Sequence, residues 1–144
     1  ASSNYRMTEF SAVLGLSQIN HADNWVDRRN DIASLYHDNL SGVDWLALPP
    51  SYENIRQSRW KYIVRLDDKI DRMKYLKRLL DKGIQTGSSY WPPCSHQKIF
   101  QPYVSKLGCP NADSVLRKHF SLPMYIELKD EEVIEICDVV KAAI

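Results

Sequence analysis

The order of patterns along the chain predicts an α/β or α+β layer, one small sheet with helices packed on it. Three observations carry that expectation. Residues 60–66, Trp-Lys-Tyr-Ile-Val-Arg-Leu, form the best strand in the sequence, rich in aromatic and β-branched side chains. Amphipathic helical spacing precedes this run, up to Leu40, and follows it over 69–82. Beyond that come further extended pieces, short helices and a last helix, so strands and helices alternate to the end.

Taken in order, Thr8 is a candidate N-cap with Glu9 in the first turn, where a carboxylate interacts favourably with the helix dipole. Residues 10–20 carry no charged side chain: Met7, Phe10 and Leu14 fall on one face, and Ala12, Leu16 and Ile19 on another. A helix apolar on two sides is either the centre of a small bundle or one packed on a second domain or subunit. Trp25, Ile32, Leu35, Tyr36 and Leu40 then recur at helical spacing among Asp and Arg residues, giving one dry side, and Ser41-Gly42 ends that helix. Residues 44–50 read as a short extended piece closed by Pro49-Pro50, and 51–58 as a polar loop.

After the strand at 60–66, Asp67-Asp68 forms a turn, and the helix over 69–82 places Ile70, Met73, Leu76, Leu79 and Leu80 on its stripe before Gly83 stops it. Residues 84–90 read as a second strand running into the proline-containing loop 91–96. Short helices follow around 101–107 and 113–119, then an extended 121–126. The last helix starts near Asp130, with Glu131 and Glu132 in its first turn and Val133, Ile136, Cys137 and Val140 on its buried face.

Composition narrows the function classes. The 144 residues are 44% hydrophobic and 26% charged, as expected for one globular domain. A net charge of +1 gives no long-range field for nucleic acid or an anionic membrane, so recognition must be local. Cys94, Cys109 and Cys137 are an odd number in a domain too large to need disulfide staples, which points to a reducing, cytoplasmic setting. No apolar run approaches the roughly 18 residues that a membrane span requires, and no signal peptide is evident. Cys94, His96 and Cys109 match no standard zinc spacing and lack a fourth ligand, so no metal is expected.

A family resemblance is carried by Asn4-Tyr-Arg-Met-Thr-Glu9, Ala12, Leu14-Gly15-Leu16, Gln18, the Arg28-Arg29 pair, Trp60 at the strand, Gly83-Ile84, Pro92-Pro93, Gln101-Pro102-Tyr103, Ser121-Leu-Pro-Met124 and Leu128-Lys-Asp-Glu-Glu-Val133. In this order and spacing the chain resembles the C-terminal part of the DegT/DnrJ/EryC1/StrS aminotransferases, the sugar aminotransferases of pyridoxal-phosphate fold type I. The resemblance implies a small C-terminal domain with a mainly antiparallel sheet covered by helices, preceded by a long interdomain helix. It divides the chain into residues 1–22, a polar turn and buried helix belonging to the large-domain and dimer interface, and residues 23–144, the small domain. The large domain, with the cofactor-binding lysine and the acidic partner of the pyridine nitrogen, would lie upstream.

The resemblance also assigns roles. Asn4 and Arg6 are implied to reach across a homodimer interface to the pyridoxal 5'-phosphate of the neighbouring subunit; an amide and a guanidinium both donate to phosphate, the latter bidentately. The structural alternative for Arg6 is a surface ion pair with a carboxylate such as Glu9. Tyr90 and His96, in the loop after Gly83-Ile84, are implied to lie near a nucleotide-sugar substrate; the alternative for His96 is a merely exposed loop histidine. No catalytic residue is assigned, because none of the lysines matches the cofactor lysine of the family. The function implied is the C-terminal portion of an aminotransferase for a nucleotide-linked keto sugar, inactive alone. Two other classes remain open at this point. One is a non-catalytic interaction or regulatory domain binding a partner through residues 10–19; the other is a small-molecule module using the 90–96 loop.

Overall fold

The computed structural model describes residues 5–52, 54–87, 90, 92–104 and 108–144. Five α-helices and three strands succeed one another among these residues: α1 (Glu9–Ile19), α2 (Ala22–Leu40), β1 (Leu46–Ala47), β2 (Tyr62–Leu66), α3 (Arg72–Asp81), α4 (Pro110–Lys118), β3 (His119–Leu122) and α5 (Asp130–Ala142). Single 3-10 turns span Cys94–His96 and Gln101–Tyr103. The sheet has the order β1-β2-β3 and is antiparallel throughout, with Leu46 opposite Leu66 and Val64 opposite Phe120.

Alternation along β2 sends Tyr62, Val64 and Leu66 into the core while Ile63 stays exposed. β3 is buried at all four positions. Ile32, Tyr36 and Leu40 of α2, Tyr75 and Leu79 of α3, and Val133, Ile136, Cys137 and Val140 of α5 complete one core with the sheet. Buried phenols are anchored to main chain: Tyr36 Oη donates to Pro123 O at 2.9 Å and Tyr75 Oη to Val140 O at 2.8 Å. Arg28 fastens α2 to the start of α5, donating to Asp130 Oδ1 at 2.7 Å and to the Leu128 carbonyl.

Several expectations are corrected. The third helix begins at Arg72, not residue 69, because Asp67 Oδ1 accepts from Lys69 N (2.9 Å) in a local turn and Asp71 then caps Lys74 N (3.1 Å). Its buried stripe is Arg72, Tyr75 and Leu79, with Met73 and Leu80 exposed. The strand expected over 84–90 shrinks to a bridge at Gly87, with residues 88–89 outside the described set. Ile84 is spent elsewhere: its N–H reaches back to Leu79 O at 2.9 Å, closing α3 around Gly83 at φ +85.

The helix expected near 101–107 is one turn at Gln101–Tyr103, and residues 105–107 lie outside the described set. α4 starts three residues earlier than expected because Pro110 occupies its first position, where a missing N–H costs nothing. His119 belongs to β3 rather than to the helix before it, and Pro123, lacking an N–H, stops the strand well short of residue 126.

α1 is not the centre of a bundle. It buries no residue at all: Phe10 is 91% exposed, and Val13, Leu14, Leu16 and Ile19 are exposed as well. The helix is nevertheless well formed at its start, with Ser11 N donating to Thr8 Oγ1 at 3.3 Å.

Candidate functional site

Three places on the molecule bear on function. At the N-terminal side, Arg6 lies exposed in the short segment before the Thr8 cap. Asn4, its expected companion, lies outside the described residues.

The second place is a groove of about 750 Å³ bounded by the Lys82–Gly87 strip, the Ser121–Tyr125 segment and one side of α5, with Trp60 and Lys61 at its rim. Gly87 makes this groove possible. Its N–H and C=O pair with Ser121 at 3.0 and 2.9 Å, and a Cβ on Gly87 would collide with Ser121 Oγ. The strip therefore runs directly against the edge of β3, covering backbone groups that would otherwise be open to pairing. Lys61 Nζ sits 4.4 Å from the Trp60 ring centre and 5.8 Å from that of Tyr90, so an ammonium stands between two aromatic faces. Tyr90 is 67% exposed and holds φ +64, a left-handed conformation that few non-glycine residues adopt. Glu132 lines the groove while its carboxylate accepts from Lys129 N at 2.8 Å, so the same side chain caps α5.

His96 is anchored elsewhere. Its Nε2 lies 2.9 Å from Asp113 Oδ1 on the first turns of α4, which ties the Cys94–His96 turn to that helix. The structure thus brings the Tyr90 ring within 5.8 Å of Lys61, which lines the groove, and His96 to α4 through Asp113. His96 remains an exposed loop residue with that contact. Cys94 and Cys109 are exposed thiols, and the described residues contain no group of three or more His, Cys, Asp or Glu arranged for a metal.

Trp60 and Lys61 are the groove residues that sequence reasoning missed. The Trp60-Lys61 pair reads as the start of a strand, but the sheet begins only at Tyr62 and leaves Trp60 59% exposed. An aromatic followed by lysine just ahead of the first paired residue was the available signal. Among the described residues no helix is long and apolar enough to cross a membrane.

Comparison with known proteins gives this geometry its context. The family model for the DegT/DnrJ/EryC1/StrS aminotransferase family matches residues 1–141. The chain belongs to that family. Among relatives of the DegT/DnrJ/EryC1/StrS chain, the dTDP-4-dehydro-2,3,6-trideoxy-D-glucose 4-aminotransferase of Saccharopolyspora spinosa is 29% identical over 94% of the chain and 34% of the relative. GDP-perosamine synthase of Escherichia coli O157:H7 is 26% identical over 94% of the chain and 36% of the relative. The solved structure of S. venezuelae DesV superposes with a TM-score of 0.88 at 25% identity, covering 99% of this chain and 38% of DesV. The chain spans about a third of the length of the curated relatives it matches. Its small antiparallel sheet covered by helices is the fold of the matched part of these aminotransferase structures.

Proposed function

We propose that this chain is the C-terminal portion of a pyridoxal-phosphate-dependent aminotransferase acting on a nucleotide-linked keto sugar. The observation that carries the reading is α1: a well-capped helix with large apolar side chains on several sides, none of them buried by the rest of the chain. Such a surface is a core waiting for its other half. Residues 1–22 accordingly dock on an N-terminal large domain and a second subunit, and residues 23–144 form the small domain.

Arg6, together with Asn4, is proposed to hold the cofactor phosphate of the neighbouring subunit. The donor set fits the group, since an exposed guanidinium on a short polar segment presents paired N–H donors to phosphate oxygens. When bound, pyridoxal phosphate supplies the electron sink for amino transfer. The chain's own residues do the positioning. Tyr90 and Trp60 offer flat faces to a nucleotide base or sugar, and Lys61 between them offers positive charge to its phosphates. His96, beside Asp113 on α4, is the imidazole proposed to meet a substrate hydroxyl or phosphate.

The test is complementation. The purified chain with added pyridoxal phosphate is expected to show no transaminase activity, and activity is expected once a polypeptide carrying the large domain is supplied. Arg6→Ala should then lower cofactor retention, and Tyr90→Ala should raise KM for the nucleotide sugar more than it lowers kcat. Amino transfer by the chain alone would overturn the proposal.

A further inference from the structure

A second cavity, of about 140 Å³, shares no lining residue with the groove and lies between one face of α2 and the entrance to β2. Tyr62 lines it. The side chain is buried to 1% exposure with its ring 4.9 Å from that of Tyr36, yet its Oη has no hydrogen-bond partner. Arg59, three residues earlier, lines the same cavity with its Nε also buried and unpartnered. Its backbone is held at φ +48, left-handed for a non-glycine residue. Buried donors are nearly always satisfied in native proteins, so two orphans and a strained residue meeting at one cavity point to a bound group that supplies the missing acceptors.

The opposite wall has the opposite character. Asn30, Ser34 and Asp38 follow one another at four-residue spacing along α2. The Asn30 amide nitrogen donates to Val26 O at 2.8 Å and to Gln57 O at 2.9 Å, which uses both its hydrogens and leaves Oδ1, an acceptor. Asp38 adds a carboxylate. The strand wall is thus cationic and donating, the helix wall anionic and accepting, and Ser51 and His37 between them can take either role.

We propose that this cavity binds a short zwitterionic α-amino acid, its carboxylate on Arg59 and Tyr62 and its ammonium on Asp38 and Asn30 Oδ1. A bare oxyanion would satisfy the strand wall but set a second negative charge against Asp38, and a simple cation would leave both buried donors unmet. The volume holds roughly four or five water-sized groups. That admits glycine, alanine or serine and rejects a long side chain. The proposal does not rest on the aminotransferase reading, because it uses only residues of this chain and predicts binding without cofactor or large domain.

The experiment is a titration of the whole chain, followed by calorimetry and thermal melting, with glycine, L-alanine and L-serine. Acetate, methylammonium and inorganic phosphate serve as probes of each half of the site. Saturable heat and a rising Tm are expected with the amino acids and not with the half-probes at equal concentration. Tyr62→Phe keeps the ring packing and should weaken binding about tenfold, while Asp38→Asn, at an exposed position, should lose preference for the amino acid over acetate. Phosphate or acetate binding as tightly as glycine would overturn the proposal in favour of an oxyanion site. The absence of any response to all six probes would overturn it in favour of a cavity filled by water.

Discussion

α1 and α5 are helices of similar length, 11 and 13 residues, and both are rich in apolar side chains, yet one buries nothing and the other forms a wall of the core. In α5 the apolar positions Val133, Ile136, Cys137 and Val140 fall on one stripe, and the acidic first turn and Lys141 face water. In α1 the apolar residues fall around the helix and no basic residue closes its last turn. The contrast teaches that apolar content alone does not say where a helix packs. A single stripe finds its partner within the chain, whereas an apolar surface spread around the axis needs more partners than this chain supplies.

The comparison can be broken most severely at Ile136. Truncation to Ala is expected to cost about 2–5 kcal/mol in chemical denaturation, and an equal loss on truncating Phe10 would show that α1 is part of the core after all. Arg28→Ala comes next, with an expected loss of roughly 1–2 kcal/mol, because it removes both the Asp130 pair and the Leu128 carbonyl bond that anchor α5 to α2. Retention of full stability would mean that α5 is held by its apolar stripe alone.

Alkaline titration sharpens the same contrast. Burial pushes the Cys137 thiol up from 9.0 to about 11 and raises Tyr36, Tyr62 and Tyr75 above their ordinary 10.0. In the unfolded chain these groups lose their protons first. The stability they protect is therefore complete below about pH 9 and falls as pH rises from 9 toward 11, by at most about 1.4 kcal/mol per pH unit for each group. Cys137→Ala should flatten the first part of that fall in melts between pH 9 and 10, leaving the tyrosine part above it. The smallest expected effect is that of Phe10→Ala on the isolated chain, within about 0.5 kcal/mol. The same substitution should weaken association with a large-domain polypeptide in sedimentation or size-exclusion measurements.

Much of the fold was legible before any coordinates. The aromatic and β-branched run gave β2, the stripe at Val133, Ile136, Cys137 and Val140 gave α5, and the uncharged run after Glu9 gave α1. What failed were places where local chemistry competes. Asp67 and Asp71 divide a turn from a helix within five residues, Pro110 starts α4 earlier than its apolar spacing suggests, and Ile84 closes α3 instead of opening a strand. The candidate site was legible residue by residue but not as an arrangement. Nothing in the order of residues says that Lys61 stands between Trp60 and Tyr90, or that His96 meets Asp113 seventeen positions on.

The sequence by itself determined the family, the alternation of elements and the doubly apolar helix behind Arg6, because these follow from residue types at fixed short spacings. Only the tertiary structure decided which of those elements share a core and which side chains meet across long separations. It showed that α1 buries none of its residues, that Gly87 pairs with Ser121, and that Tyr62 and Arg59 line one cavity with Asn30 and Asp38. The physical reason is that spacing along a chain fixes a residue's face on its own element, while contact between elements is settled by how all the apolar faces can be buried at once.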